Sequence, residues 1–404
     1  MKFEISKSIN KILKTIMEHL NKIPAKFIRG GTSKGLYFNS SSLPQINSER
    51  DGIILRIMGS PDPNGLQIDG MGGGISSTSK IALISKRIIN GLSFLNYNFG
   101  QVSMKESKID WSGNCGNLAS GLFEFARLEK DYEDCFESLK LSENNKYFHK
   151  LRVWQENKKH EMFIWGNLNA EKNEQNLVKI SGIQRPYPPL FVEFKNIIPE
   201  NANLFPTGNV VDKLELSQND SIEVTLLSGA NPLVLIRPEV LNLKGQEIPK
   251  DINYEAIKEK LNLICLMAAK HMKIEITDAL RVAWISSPAS YTDSSGNFIE
   301  EKSVDILSRI TTNNRVHHAH TGTGAINIAV ACMIKGTLAN SCLKNQGKGK
   351  ELEKRENEIR IGHPGGTMTC EADVEFDENK KKWEIKRAGF IRTARLLMDG
   401  FVYV

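Results

Sequence analysis

None of the six cysteines in this 404-residue chain forms a CxxC pair. That usage excludes a zinc ribbon and a disulfide framework, and it points to a reducing, cytoplasmic setting. Long apolar runs are missing too. The longest, residues 325–334, falls short of the eighteen or so residues that a membrane helix needs and reads as a buried helix. Nucleotide loops are absent: RGGTSKG lacks the Walker spacing, and residues 70–75 do not complete GxGxxG. Phosphoryl and hydride transfer therefore fall away. Nor is there a stripe of one charge. Lys and Arg number 53 against 47 Asp and Glu, a net +6, and the cations are scattered. The dense run at 348–360 interleaves Glu with Lys and reads as a solvated loop or exposed helix. The partner this implies is a small anion, with no nucleic acid and no membrane.

What is present suits a soluble globular protein: 40% hydrophobic and 25% charged residues, on a chain long enough for two domains. Residues 1–22 form a separate extension. Ile5, Ile9, Ile12, Ile16 and Leu20 recur at helical spacing between lysines. The segment has no Arg and carries Glu4 and Glu18, so it reads as an added surface helix; a mitochondrial presequence is the alternative.

Patterning divides the rest. Residues 23–38 read as strand, glycine turn, strand; 53–58 as a helix stopped by Gly59-Ser60-Pro61; 94–104 as a strand; 151–166 as a hairpin. A second half starts near Ser221, with strands around the SGANP turn, a helix at 254–272, a strand at 280–285, an apolar helix after TGTG, and closing strands at 359–361, 368–376 and 383–391. Both halves run strands, glycine turn, apolar helix, and Cys115 and Gly322 mark the matching turns. The expected domains are 23–217, completed by a strand at 390–404, and 218–389.

Five segments carry chemistry. In GNCGN, residues 113–117, flanking glycines let backbone N–H groups approach a ligand, and a helix begins just beyond. A cysteine there stands where a thiolate is stabilised; a packed structural cysteine would not need those glycines. In DGMGGGISSTSK, the hydroxyls of Ser76, Ser77, Thr78 and Ser79 precede Lys80, a general base if partly buried near other cations and otherwise a solvated lysine. In RGGTSKG, Arg29, Ser33 and Lys34 read as an anion clamp or as a hairpin turn with exposed cations. HHAHTGTGA places His318 and His320 on one side of a strand, without the carboxylate or cysteine that would complete a metal set. Its Thr321, Gly322, Thr323 and Gly324 open an apolar helix as a second anion site, and IGHPGGTM adds a glycine turn with His363. Several anion cradles, an activated cysteine and a basic lysine suit proton transfer beside carboxylates.

In this order, RGGTSKG, QIDGMGGGISSTSKIALIS, NYNFGQV, SGNCGN, LFPTGN and GHPGG resemble the 2-methylaconitate cis–trans isomerase family, which includes 4-oxalomesaconate tautomerases and methylitaconate and aconitate isomerases. The resemblance covers about residues 23–404. It implies an α/β (α+β), diaminopimelate epimerase-like fold: two related domains, each a central helix wrapped by a curved, mostly antiparallel sheet, with the active site in the cleft between them. It further implies a cofactor-independent isomerase with no metal, acting on a small polycarboxylate, with a homodimer as the assembly to test. Lys80 and Cys115 become the acid/base pair. Arg29, Ser33, Lys34, Ser77, Thr78 and Ser79 become carboxylate ligands, joined by Asn114, Gly116 and Asn117 around the cysteine and by Thr321 to Gly324 and His363 in the second half. Related epimerases carry a second cysteine where this chain has His320-Thr321-Gly322-Thr323-Gly324, which argues against a symmetrical two-thiol mechanism. The chain departs from the family at GIQRPYPP, at SGANP, which lacks an acidic residue, and at GHPGG in place of GHPSG. Three alternatives accompany the main reading: an oxalomesaconate-type tautomerase, an amino-acid racemase or epimerase, and a non-catalytic polycarboxylate-binding protein.

Overall fold

The computed structural model of the protein describes residues 22–138, 149–169, 177–195, 197–198, 202–229, 231–276, 280–312, 315–343 and 357–404. The extension expected at 1–22 lies outside the described residues except for Lys22. So does the charged run at 348–360 as far as 356; its last residues open a strand, Glu358–His363, rather than a loop or helix. The alternation of apolar Ile359 and Ile361 with polar neighbours on the partner-bearing edge explains that outcome.

The chain divides into two compact units. One comprises Met1–Val178, Pro186–Val192 and Arg392–Val404, the other Lys179–Arg185 and Glu193–Ile391.

In the first unit the strands Ala394–Tyr403, Lys22–Gly30, Ser33–Asn39, Lys80–Ile89, Leu92–Val102, His149–Gln155 and His160–Gly166 lie side by side. Successive neighbours pair antiparallel, antiparallel, parallel, antiparallel, parallel, antiparallel. Parallel neighbours need a crossover connection, and helices fill both crossovers. Asn47–Met58 follows Ser33–Asn39, while Gly116–Ala119 and Gly121–Leu128 follow Leu92–Val102. Strand alternation sorts the core onto two faces. Leu36, Phe38, Ile81 and Leu83 pack with Ile54, Leu55, Ile57 and Met58 of the first helix. Their neighbours Tyr37, Ala82 and Ile84 are also buried and face the other way. There Gly121–Leu128 buries Leu122, Phe123, Phe125 and Ala126, and the Phe125 ring stacks 6.3 Å from Tyr37. Each large apolar side chain buried this way stabilises by roughly 1.5–3 kcal/mol over an exposed one.

The second unit repeats the plan. Asp212–Ser217, Asp220–Leu227, Leu233–Ile236, Arg281–Ser286, Ile306–Thr312 and Glu358–His363 follow the order antiparallel, antiparallel, parallel, antiparallel, parallel, and Gly366–Asp377 and Lys382–Arg392 extend it antiparallel. Helices again fill the crossovers. Tyr254–Met272 covers Val224, Leu226, Val234, Ile236, Val282 and Trp284. Gly322–Met333 is apolar around its circumference and buried from Gly324 to Cys332, as a central helix must be.

This is the expected α/β, diaminopimelate epimerase-like fold. The repeat read from the sequence is carried by the same order of six strand pairings in the two units, to which the second adds a seventh. It also sharpens one equivalence: Cys115 and Thr321 are the two N-cap residues, so Thr321 rather than Gly322 is the partner of Cys115. Among the described residues, no helix is long and apolar enough to cross a membrane.

Candidate active site

Lys80 is the first residue of its strand and only 8% exposed. It stands opposite Gly35 on one side and Gln101 on the other. Its Nζ donates to Gln101 Oε1 and lies 5.1 Å from the centre of the Phe99 ring, an aromatic face that favours a cation. No carboxylate among the described residues pairs with it.

The hydroxyls before Lys80 do not all remain open. The Ser79 hydroxyl is fully buried, 2.5 Å from Gln67 Oε1 and 2.9 Å from the Ile75 carbonyl. Thr78 Oγ1 donates to the same carbonyl at 3.2 Å. The carbonyl of Ser77 accepts from the N–H of Lys34, joining this loop to the RGGTSKG turn. Gln67, 1% exposed, also accepts from Gly74 N–H and donates to Ser60, so it pins the glycine-rich loop from inside.

Cys115 is the N-cap of Gly116–Ala119, and its Sγ accepts the N–H of Leu118 at 3.4 Å. The expected single helix is interrupted at Ser120, whose hydroxyl donates 2.8 Å to the Asn117 carbonyl, and it resumes as Gly121–Leu128. The sulfur therefore rests on one capping N–H and a one-turn helix rather than on the dipole of a long helix. Gly30 lets this turn approach the sheet: a Cβ there would stand 2.8 Å from the Leu118 carbonyl and 3.0 Å from Gly121 N. Tyr37 donates its hydroxyl to Leu118 O from below. Burial, then Cys115, pushes its phenol well above the ordinary tyrosine range, so it stays a donor.

Ser33 Oγ lies 3.9 Å from Cys115 Sγ. Ser33, Gly35 and Tyr37 share one face of their strand, and Lys80 pairs beside Gly35 on that face. The register thus puts Ser33 and Lys80 on one face, and Ser33 meets Cys115. Arg29 and Lys34 are paired with each other and alternate to the opposite face at the backbone, yet the Arg29 guanidinium reaches the Thr393 carbonyl, which also accepts from Ser120 Oγ at 3.4 Å. Lys34 Nζ sits 5.3 Å over the Phe27 ring. Arg29 Nη1 donates to the carbonyls of Gly31 and Thr393 at 2.8 and 2.9 Å, and the guanidinium stacks 4.7 Å over Tyr187. Its Nε and Nη2 are buried without a hydrogen-bond partner, and burial pulls its pKa below the usual arginine range. Asn117 spends its side chain on the frame, accepting from Arg392 Nε at 2.6 Å and donating to Thr32. Asn114 Oδ1 is buried and unpartnered.

In the second unit, Thr321 caps Gly322–Met333 by accepting the N–H of Gly324 at 3.2 Å. Thr323 Oγ1 accepts from Asn231, whose carbonyl is held by buried Asn327. His320 Nε2 meets Ser308 Oγ at 3.0 Å, and the His363 ring lies 6.3 Å from the His320 ring. Burial, then His318 and His320, pulls His317 down to about 3, leaving it neutral. Among the described residues, no group of three or more His, Cys, Asp or Glu side chains is placed to hold a metal ion.

Gln67, Gln101 and Asn231 lie in QIDGMGGGISSTSKIALIS, NYNFGQV and SGANP without a role that the motifs assign, and Tyr37 and Arg392 lie outside the motifs that carry chemistry. One of these had a usable signal. Asn90-Gly91 is a two-residue hairpin turn with both residues at positive φ, and counting outward from it puts Gln101 opposite Lys80.

A model of the PrpF protein family matches residues 20–404. A 2-methyl-aconitate isomerase of Cupriavidus necator is 34% identical over 95% of this chain and 97% of its own length. A 3-methylitaconate isomerase of Eubacterium barkeri is 31% identical over 95% and 97%. The crystal structure of a methylitaconate-delta-isomerase superposes with a TM-score of 0.74 at 29% identity, covering 95% of each chain.

Proposed function

The chain belongs to the PrpF protein family and is an isomerase; from that premise we propose that it moves an allylic proton on a small polycarboxylate of the aconitate type, by cis–trans isomerisation or a double-bond shift. The observation that carries this reading is that Ser33 stands on the strand face that bears Lys80 and meets Cys115 there.

Lys80 and Cys115 are the proposed acid/base pair. One removes an allylic proton, and the electron pair spreads over the adjacent double bond and its carboxylate. The former double bond gains single-bond character and either rotates or migrates. The other group, or the same one, returns the proton. The chemistry needs a base, an acid and donors for the extra negative charge. Ser33, Ser77 and Thr78 and the N–H groups at Gly116 and Asn117 are the proposed donors beside Cys115, with Asn114 next to them. Arg29, Lys34, Ser79 and Asn117 are proposed as carboxylate ligands with them; Arg29 keeps Nε and Nη2 buried without a partner, while Ser79 and the Asn117 side chain also brace these turns. Thr321 to Gly324, with His363, are proposed as a second anion cradle in their own unit. The net charge of +6 suits a trianionic substrate. No nucleic acid, membrane or cofactor enters the reading, and a homodimer is the assembly to check by sedimentation.

An amino-acid epimerase of this fold would need a second opposed acid/base group, and the residue that caps as Cys115 does is Thr321. The test is a panel of purified polycarboxylate alkenes, each incubated with the protein and resolved by chromatography. Interconversion of isomers in one of them is the expected result. Inertness towards every unsaturated tricarboxylate, with turnover of an amino acid, would replace the proposal by the epimerase.

A further inference from the structure

We infer that Gln101 is a positioning residue for Lys80. The inference rests on the reading of Lys80 as an acid/base group and extends it to a residue one strand away.

The geometry fixes Gln101 in one orientation. Its Nε2 donates to the carbonyls of Ser79 at 2.9 Å and Ser76 at 3.2 Å, with Val102 O further off at 3.4 Å. A turned amide would set Oε1 against these carbonyl oxygens and the NH2 group against the lysine, losing every bond. The oxygen therefore points at Lys80 Nζ and accepts from it. The donors of one small amide thus hold the SSTS loop, and its acceptor holds the amine.

The chemical choice matters as much as the geometry. A neutral amide oxygen accepts from both an ammonium and an amine. It keeps Nζ in place through both halves of a proton shuttle while leaving the charge free to change. A carboxylate in the same place would pair with the ammonium and hold the proton on it. Next to Lys80 on this face, Phe99 offers a ring, Ser33 a hydroxyl, and Tyr37 and Tyr97 are phenols that burial pushes well above their usual range. The charged groups further along the face are engaged elsewhere: Asp110, opposite Gln101, accepts from the N–H and hydroxyl of Ser112, and Lys26, opposite Tyr37, pairs with Glu129 and Asp399.

The experiment compares kcat, KM and the pH–rate profile of the full-length wild type with Gln101→Met, Gln101→Glu and Lys80→Ala, on whichever polycarboxylate alkene the panel identifies. Gln101→Met keeps the length and removes both kinds of hydrogen bond; the expected result is a kcat about 10–100-fold lower with KM within about threefold, the size of effect that a slight misplacement produces. Gln101→Glu keeps the shape and an acceptor, and one limb of its profile is expected to move about one unit or more to higher pH, as a carboxylate beside an ammonium dictates. Should Gln101→Met fail to fold, the profile of Gln101→Glu decides alone. A Gln101→Met enzyme with wild-type kcat, or a Gln101→Glu profile that overlays the wild type, overturns the inference. Lys80→Ala separates the two levels: full activity there removes the premise, whereas an inactive Lys80→Ala beside an unimpaired Gln101→Met removes only the role of Gln101.

Discussion

Gly121→Ala tests whether the turn bearing Cys115 is seated as described. Gly121 opens Gly121–Leu128 directly above Tyr37. An added Cβ would overlap the Tyr37 hydroxyl and stand 2.8 Å from its Cζ and 3.0 Å from Ile28 Cγ2. Tyr37 and Ile28 are both 0% exposed, so neither has solvent to move into. Overpacking a core costs about 1–3 kcal/mol, and displacing the Tyr37 hydroxyl from Leu118 O costs about 1 kcal/mol more. The alanine returns up to about 1 kcal/mol through its better helix propensity. The net expectation is a loss of about 1–4 kcal/mol, read from urea unfolding followed by circular dichroism. Tyr37→Phe removes the atom in the way, so the double variant should be less destabilised than the sum of the singles, by about 1 kcal/mol. Catalysis should fall as well, because Leu118 supplies the N–H that caps Cys115. A Gly121→Ala protein within about 0.5 kcal/mol of wild type, or strictly additive variants, would refute the packing argument.

Three further outcomes are expected. Lys80→Ala and Cys115→Ala should each lower kcat by about 100-fold or more while unfolding as the wild type does, measured by steady-state kinetics and urea titration. Iodoacetamide at neutral pH should alkylate Cys115 ahead of the other cysteines, and a bound polycarboxylate should slow it. Cys135, Cys332, Cys342 and Cys370 are buried, and burial pushes the thiols of Cys135 and Cys342 up to about 11 and raises that of Cys265; peptide mapping by mass spectrometry gives the order. His317 should contribute a pH dependence to stability. Its folded pKa of about 3 lies below the ordinary value of 6.5, so between those limits the unfolded chain binds the extra proton and stability is lost as pH falls from about 6.5 towards 3. His317→Gln should flatten that slope in urea titrations across the same window; an unchanged slope would assign it elsewhere.

The fold was legible where periodicity was strong. Residues 254–272 read as a helix from sequence and form Tyr254–Met272, and the apolar stretch after TGTG forms the buried Gly322–Met333. The break at Ser120 was not legible, because it depends on a side chain returning to the Asn117 carbonyl within an otherwise continuous helical pattern. In the site, the glycines around Cys115 marked a tight turn. They did not reveal that the sulfur would cap a one-turn helix, nor that Ser33 would reach it. Lys34 follows Ser33 in one motif and alternates to the other face, whereas the Arg29 guanidinium shares the Thr393 carbonyl with Ser120; the motif alone states neither. Gln101 is the opposite case: its place beside Lys80 follows from the Asn90-Gly91 turn by counting, although NYNFGQV, the motif that contains it, says nothing of which strand it faces.

The most direct test of the acid/base pair is proton exchange in deuterated water. An aconitate-type alkene from the panel is incubated with wild type, Lys80→Ala and Cys115→Ala, and the allylic proton signal is followed by NMR. The account predicts that wild type replaces the allylic proton with deuterium as it isomerises the alkene and that both variants do so at least about 100-fold more slowly. Exchange at the wild-type rate in either variant, or isomerisation by a Lys80→Ala, Cys115→Ala double variant, would contradict it.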